Sequence, residues 1–204
     1  MRVTVLSDNN ASEGLVCEWG FSALIEAEGE TVLLDTGASS IFAENAQALG
    51  IDLACVDHAV LSHAHFDHAN GFDVFFEQNG HAPLLFQAAC EENCWSDAKG
   101  DMAYIGVRQG MMAAHVNRLQ RVEGVTEFAP NAWLVPHNAA GLGSIGEREH
   151  LYLKHGDELV GDDFAHEQSL VFDAPCGIII FNSCSHAGVE VIIDEVRALF
   201  PNKP

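Results

Sequence analysis

The sequence predicts an α/β fold with mixed sheets, organised as one domain over residues 1–204. Two observations predict it. Runs of strand length come first and are followed by a helical pattern, and this succession of strands and helix is then repeated. In addition, 48% of the residues are hydrophobic, which supplies a substantial core for a chain of 204 residues. No repeat, linker or low-complexity segment divides the chain.

The N-terminal part is predicted to contain strands and two helices. Apolar runs at 3–6, 21–26, 31–34 and 83–86 are typical of strands. Ser39 or Ser40 suits the start of a helix that ends near Leu49, before Gly50. The buried face predicted for this helix consists of Phe42, Ala46 and Leu49. A short helix over 71–78 is predicted to place Phe72, Phe75 and Phe76 in the core.

The C-terminal part is predicted to form a second sheet and a final helix. Strands are expected at 119–122, 125–128, 132–136, 151–154, 169–173 and 178–181, and a glycine-rich loop at 139–149. The helix over 186–199 should bury one face, made of Val189, Ile192, Ile193, Val196 and Leu199. Residues 88–118 show the weakest pattern. Their large side chains suit either a pocket or packing under a loop: Trp95, Met102, Tyr104, Met111 and Met112.

A cluster of potential metal ligands follows the apolar run at 59–61, which reads as a buried strand. The cluster has the pattern His-x-His-x-Asp-His at His63, His65, Asp67 and His68. Residues two apart in an extended chain point to the same side, so His63 and His65 can reach one ion. Asp67 and His68 come after the chain turns and can face a second ion. Imidazole and carboxylate ligands suit a borderline divalent ion such as zinc.

This pattern resembles the signature of the metallo-β-lactamase fold superfamily. Two further stretches support the resemblance. Residues 33–37, Leu-Leu-Asp-Thr-Gly, resemble the superfamily's upstream Asp-x-Gly turn, and residues 166–170 and 181–188 are similar to one branch. That branch comprises the dihydropterin ribofuranosylaminobenzene-phosphate synthase-like proteins. The resemblance covers nearly the whole chain and implies a four-layer αββα sandwich of two mixed sheets with helices outside.

The resemblance also implies the remaining site residues. The third ligand of the first ion is expected to be His186, in the branch motif Cys-Ser-His-Ala-Gly, with His166 as the alternative. Cys184 occupies the place where other members carry a bridging Asp or a Cys ligand, so it is a further candidate. Asp35 is expected to support the metal loop by hydrogen bonds. Asp35 also lies in Asp-Thr-Gly-Ala, the motif of retroviral-type aspartic proteases, but the metal cluster downstream favours the first interpretation.

The end of the sequence departs from the family pattern. Relatives continue past the final helix into a strand and a Gly-Gly-x-His turn, which supplies the last ligand of the second ion. The sequence stops at residue 204 without them. We therefore expect a sandwich truncated at its C-terminus, with a second ion held more weakly than the first and weak activity. A distant histidine such as His137 is the alternative source of the missing ligand.

The expected cofactor is one or two zinc ions, with manganese or iron as alternatives. The expected function is hydrolysis of a small-molecule ester, amide or phosphoester by a metal-bound hydroxide, in which Asp67 orients the nucleophile. One alternative is a non-hydrolytic transferase or synthase of pterin-type metabolism. Another is a non-enzymatic metal-binding or redox protein; superfamily members of that kind usually add a flavin domain, and residues 1–204 are not expected to contain one.

The net charge and the absence of targeting signals limit which partners are expected for the chain. The formal net charge is −21, from thirty acids against nine bases, and such a surface repels nucleic acid. A generally acid-biased proteome would explain the same charge. No segment has the apolar length of a signal peptide or membrane span, so a cytoplasmic location without membrane partners is expected. The six cysteines do not follow a disulfide framework, and Cys90-x-x-x-Cys94 is at most half of a metal site. The sequence leaves the oligomeric state open.

Overall fold

A computed structural model describes residues 1–137 and 139–203. The described strands, in chain order, are β1 (Arg2–Ser7), β2 (Ser22–Ala27), β3 (Glu30–Leu34), β4 (His58–Val60), β5 (Leu84–Gln87), β6 (Cys94–Ser96), β7 (Ala103–Tyr104), β8 (Leu119–Val122), β9 (Thr126–Ala129), β10 (Ala132–Pro136), β11 (Leu151–His155), β12 (Glu158–Gly161), β13 (Gln168–Ala174) and β14 (Gly177–Phe181). The described helices are α1 (Ile41–Ala48), α2 (Phe66–Ala69), α3 (Phe72–Gln78), α4 (Met111–Ala114), α5 (Leu142–Arg148) and α6 (Val189–Leu199).

The first sheet is mixed and has the strand order β1-β2-β3-β4-β5-β8. Its first three strands pair antiparallel, and β3, β4, β5 and β8 pair parallel. The second sheet is antiparallel, with the order β14-β13-β10-β9. The prediction that residues 119–122 belong to the second sheet is therefore wrong, because β8 forms the edge of the first.

Alternating side chains show how the layers stack. In β2, β3 and β5, Ile25, Leu34 and Leu85 pack against Leu134 and Leu170 of the second sheet. Their chain neighbours point to the opposite face, because strand residues alternate between the two sides of a sheet. These neighbours, Leu24, Leu33 and Leu84, pack in the cluster that contains the aromatic rings of α1 and α3: Phe42, Phe72, Phe75 and Phe76.

On the far side of the second sheet, Val135 and Val171 pack against Val196 of α6. The order of layers is therefore helix, sheet, sheet, helix. The αββα sandwich is confirmed, and so is the burial of the three phenylalanines of α3.

A small third sheet was not predicted. It has the order β12-β11-β6-β7 and contains segments from the region that showed the weakest sequence pattern. The predicted loop at 139–149 is also wrong in part, because α5 occupies its centre. Gly146 permits this arrangement, since a Cβ at this position would lie 2.3 Å from the carbonyl oxygen of Asp162. The glycines that suggested a loop instead allow close packing.

Two predicted helix faces need correction. Leu49 is 44% exposed, and α1 buries Asn45, whose amide donates to the carbonyl oxygens of Leu6 and Val16. In α6, Ile192 and Val196 are buried, whereas the other three residues predicted for the buried face are exposed: Val189, Ile193 and Leu199. Within residues 1–137 and 139–203, the structure contains no helix of the length and apolarity needed to span a membrane.

Candidate metal centre

The His-x-His-x-Asp-His segment leaves the end of β4, which lies between the parallel strands β3 and β5. Asp35 leaves the adjacent end of β3, so both segments meet at one edge of the first sheet. The segment is anchored by backbone hydrogen bonds, including Phe66 N–H to the carbonyl oxygen of Ile105 at 2.8 Å. The chain then turns into α2, which carries Asp67 and His68.

His63, His65 and His186 come together and are called the histidine triad below. The centroid of the His63 ring lies 4.7 Å from that of His65 and 5.1 Å from that of His186, and the last two are 5.1 Å apart. One ring nitrogen from each residue lies within 4.8 Å of the others. The Nε2 atoms of His63 and His186 are buried and have no hydrogen-bond partner. Unpaired buried polar atoms are costly, and a bound cation would satisfy them.

The protonation state of His63 follows from its neighbour Ser62. The Ser62 hydroxyl donates its one hydrogen to Oδ2 of Asp35 at 2.6 Å, and it lies 2.8 Å from Nδ1 of His63. The hydroxyl must therefore accept from the His63 Nδ1–H, which leaves Nε2 with a free lone pair. Burial, reinforced by the neighbouring histidines, holds the pKa of His63 well below its ordinary value. A neutral imidazole with a free nitrogen is the form that binds a metal.

His186 is positioned by contacts on two sides. Its ring stacks on Phe164, with the centroids 4.4 Å apart. The buried carboxylate of Glu167 accepts the backbone N–H groups of His186 and Ala187 at 2.9 and 3.0 Å. Burial, with a smaller effect of His65 and His166, lowers the pKa of His186 to about 3. Neutral His186 is therefore fixed with its Nε2 buried.

His68 and Cys184 form a second group with Asp67, called the thiol group below. The Cys184 thiol lies 3.4 Å from Nε2 of His68, and Oδ2 of Asp67 lies 3.7 Å from the same nitrogen. Cys184 is exposed, whereas the His68 ring is buried. Burial lowers the pKa of His68, but the charge of Asp35 and the hydrogen bonds to Asp35 and Cys184 outweigh it and raise the pKa to about 10. His63 is close enough to share an ion with His68 and Cys184.

Asp35 lies beneath both groups. It is fully buried and has a positive φ of 57°. Its Oδ1 accepts the Ser62 N–H at 2.7 Å, and its Oδ2 accepts from Ser62, His68 and Ser183 at 2.6–2.8 Å. These contacts leave the carboxylate no access to a substrate, so the aspartic-protease interpretation is wrong.

His166 lies beside the triad, 5.6 Å from His65 between ring centroids. Its Nδ1 accepts the backbone N–H of Ala64 at 3.2 Å, and its Nε2 lies 3.1 Å from Oδ2 of Asp162 and 3.8 Å from the thiol of Cys94. His137 lies outside both groups. Its ring nitrogens contact Glu195 and Ser169 at 2.7 and 2.8 Å, so neither nitrogen is free for an ion.

A cavity of about 220 Å³ adjoins the thiol group and is lined by Asp8, Trp19, Asp67, His68, Asn182 and Cys184. None of the five large side chains considered for a pocket from the sequence lines this cavity. Met111 lies in the core, and Trp95 packs against Tyr104. Trp19 was missed. It is 71% exposed although large and apolar, and its neighbours in sequence gave no signal.

The αββα sandwich and the histidines at the edge of its first sheet are features of a class of proteins that typically bind divalent metals. The chain belongs to the metallo-beta-lactamase superfamily, whose family model matches residues 20–166. Members of this superfamily are commonly metal-dependent hydrolases, and they typically bind divalent metals.

Three individual comparisons refine this assignment. The chain is 35% identical to the uncharacterized protein MJ0448 of Methanocaldococcus jannaschii, over 97% of this chain and 74% of that protein. It is 26% identical to the 7,8-dihydropterin-6-methyl-4-(beta-D-ribofuranosyl)-aminobenzene-5'-phosphate synthase of the same organism, over 85% of this chain and 63% of the relative. Tm1679, a metal-dependent hydrolase of the beta-lactamase superfamily, superposes with a TM-score of 0.76 at 25% identity, over 98% of this chain and 72% of Tm1679.

Proposed function

We propose that the chain is a metal-dependent hydrolase of a small-molecule ester, amide or phosphoester. The observation that carries the proposal is the histidine triad. Its ring nitrogens converge, each of its three residues has a buried Nε2 without a hydrogen-bond partner, and a cavity adjoins the neighbouring His68 and Asp67. A divalent ion bound there would lower the pKa of a coordinated water and polarise a substrate oxygen.

The residues of the site have three proposed roles: binding the ions, orienting the attacking water, and holding the ligands in place. His63, His65 and His186 would hold the first ion as neutral imidazoles. Asp67 and His68, with Cys184 beside them, would face a second ion. Asp67 also lines the cavity, so its carboxylate can orient the attacking water and accept its proton. Asp35 fixes Ser62 and His68 by hydrogen bonds, which keeps the side chains of both groups in place.

The donor atoms favour zinc as the first ion. Three imidazole nitrogens with an open fourth position are typical of catalytic zinc sites. Manganese and iron also accept imidazole and carboxylate ligands, so both belong in the test. The small cavity and the net charge of −21 support a small molecule, and neither nucleic acid nor a membrane, as the substrate partner.

The experiment is a hydrolysis panel on the purified chain loaded with zinc, manganese or iron. It includes an aryl ester, a lactone, a thioester, a β-lactam and an aryl phosphodiester. We expect metal-dependent turnover of at least one substrate, loss of turnover in His65→Ala together with bound metal, and loss in Asp67→Asn with the first ion retained. Absence of turnover across the panel in a chain shown to bind metal would contradict the hydrolase assignment.

A synthase-type reaction is the second candidate. It is favoured by the similarity to the dihydropterin synthase named above, which extends over 85% of this chain. Running the reaction in water labelled with ¹⁸O distinguishes the two functions, because a hydrolase transfers the label from water to the product. A transferase instead joins the cleaved group to an added acceptor and leaves the label in the solvent.

A further inference from the structure

A second cluster of potential ligands lies on the inner side of His65. Cys94, Asp162 and His166 are all buried, and one ligand atom from each lies within 4.8 Å of the others and of His65. By residue type and spacing this cluster could be read as a separate metal site, since neighbouring atoms are 3.1–3.8 Å apart. The sequence pattern indicated His166 and Cys94 separately as possible ligands, but it did not place them together or include Asp162.

The hydrogen bonds of His166 exclude it as a ligand through Nε2. Its Nδ1 accepts the Ala64 N–H, and a nitrogen that accepts carries no proton. The proton of the neutral ring is therefore on Nε2, which points at Oδ2 of Asp162, 3.1 Å away. A metal bound to Nε2 would require the proton of the neutral ring to be on Nδ1. Two hydrogen-bond donors, Nδ1–H and the Ala64 N–H, would then face each other.

The same carboxylate oxygen faces His65. Nε2 of His65 is buried, has no hydrogen-bond partner, and lies 3.7 Å from Oδ2 of Asp162. The two nitrogens of an imidazole point to different sides of the ring, so a proton on Nε2 would face this carboxylate and would leave the lone pair of Nδ1 facing away from the cluster. In metal sites, a carboxylate that accepts from the second nitrogen of a ligating histidine fixes its tautomer and ring orientation.

Asp162 is itself held rigidly. Its Oδ1 accepts the Phe164 N–H at 2.7 Å, and its own N–H donates to the carbonyl oxygen of Leu151 at 3.0 Å. The backbone of α5 packs directly on it at Gly146, where a Cβ would lie 2.3 Å from the Asp162 carbonyl oxygen and 2.5 Å from its nitrogen. These backbone contacts fix the Asp162 carboxylate in place, with Oδ2 facing Nε2 of His166.

We infer that Asp162 and His166 form a positioning pair for the metal ligands, and that the cluster is not a separate metal site. Asp162 holds the His65 ring with its Nδ1 turned toward the triad. His166, oriented by the same carboxylate, holds the Ala64 amide between the two histidines of the His-x-His segment. The inference rests on the proposed metal site, but it concerns contacts that exist before any ion binds.

The test uses the full chain, Zn²⁺ alone as the probe, and ¹⁵N spectra of the histidine rings. In metal-free wild-type protein, His65 and His166 are both expected to carry their proton on Nε2. In Asp162→Asn, the amide oxygen stays on the Phe164 N–H, so the NH₂ group replaces the acceptor that faced the two rings. We expect the His65 proton to move to Nδ1 and the zinc affinity to fall about 10–100-fold.

Matched variants separate positioning from ligation. Cys94→Ala should leave zinc affinity unchanged, because the thiol is not part of the pair. In His166→Asn, the amide oxygen can still accept the Ala64 N–H, so this variant should retain more affinity than His166→Ala. Thermal unfolding of each variant checks that it is folded.

Several outcomes would overturn the inference. Loss of zinc in Cys94→Ala equal to that in Asp162→Asn would show that the cluster ligates an ion directly. A proton on Nδ1 of His65 or His166 in the metal-free wild type would contradict the pair without any variant. If wild-type protein bound no zinc, the proposed function would fail, while the ring spectra of the metal-free protein would still decide the positioning role.

Discussion

The histidine triad and the thiol group differ in whether their ring nitrogens have hydrogen-bond partners within the protein. In the histidine triad, the rings of His63 and His186 are neutral and each presents a buried nitrogen with no partner. In the thiol group, His68 is already hydrogen-bonded to Asp35 on one side and to Cys184 on the other. An ion would pair the free nitrogens of the first group, whereas in the second group it would replace existing contacts.

This difference indicates an order of binding. An ion in the triad would bind nitrogens that are buried without a partner, so no existing hydrogen bond has to be broken. Nearly all of the free energy of the new metal–nitrogen contacts would then favour binding. An ion in the thiol group must replace the existing contact between Nε2 of His68 and the Cys184 thiol, and metal binding requires deprotonated ligands. We therefore expect the first ion to bind more tightly than the second, and the following measurements test that expectation.

The largest expected effect comes from removing a triad ligand. His186→Ala should weaken binding of the first zinc ion by more than about 100-fold, beyond the range for outer partners of a ligand. Cys184→Ala, the matched change in the thiol group, should leave the first ion in place. Equilibrium competition with a chromophoric chelator measures both affinities. Equal losses in the two variants would mean that the two groups are one site.

Asp35→Asn should act mainly on the thiol group, because Asp35 accepts directly from His68. The variant loses the negative charge of Asp35, which raises the pKa of His68, and it loses the acceptor that orients the His68 ring. The overall metal affinity should therefore fall about 10–100-fold. Elemental analysis at saturating zinc should show the second ion lost before the first. Asp73→Asn, at a partly buried carboxylate that pairs with Arg108 away from both groups, is the control. An unchanged zinc content in Asp35→Asn would contradict the supporting role.

Glu167→Gln should have a smaller effect on the triad. One of the two backbone N–H groups at His186 and Ala187 would then face an amide NH₂ in place of a carboxylate oxygen. Because the ring of His186 remains stacked on Phe164, we expect a loss of about tenfold in zinc affinity, which corresponds to about 1.4 kcal/mol. Isothermal titration measures it. A loss as large as that of His186→Ala would show that Glu167 ligates the ion.

The metal-free protein should lose stability in acid because of the triad. The pKa of His186 is lowered from 6.5 to about 3, and burial with the nearby His65 and His166 causes the shift, which Asp162 opposes. The unfolded chain therefore binds more protons between these values, so stability falls as pH drops from about 6.5 toward 3, by at most about 1.4 kcal/mol per pH unit for each proton. Urea unfolding across this range, with and without His186→Ala, isolates the contribution. An identical pH dependence in the variant would contradict it.

The sequence was informative where function depends on local spacing. His63, His65, Asp67 and His68 lie within six positions after a strand, and a period of two is enough to place the first two on one side. The strands of the first sheet followed equally from their apolar runs. Gly146 misled the prediction, because a glycine required for close packing inside a helix looks the same as one in a loop.

Contacts between distant segments were not predictable in this way. Asp162 is about 100 residues from His65 in the chain, and only the packing of α5 and the third sheet brings them together. Glu167 was visible as part of a motif, but its role depends on a turn at 185–188 that has positive φ angles at Ser185 and Gly188. Trp19 lines the cavity from the loop between β1 and β2, and no periodicity in the sequence signals its position there.

The histidine triad also joins the two sheets. His63 and His65 follow β4 in the first sheet, whereas His186 follows β14 in the second, on the order of 120 residues later. The complete triad therefore exists only after the sheets have packed face to face, and a half-folded chain offers an ion at most a partial site. Because the complete site forms only when the two sheets are docked, the free energy of metal binding stabilises the docked state. Each tenfold rise in free ion above its dissociation constant should stabilise the docked state by about 1.4 kcal/mol, so the available metal would set the fraction of chains in which the two sheets are docked.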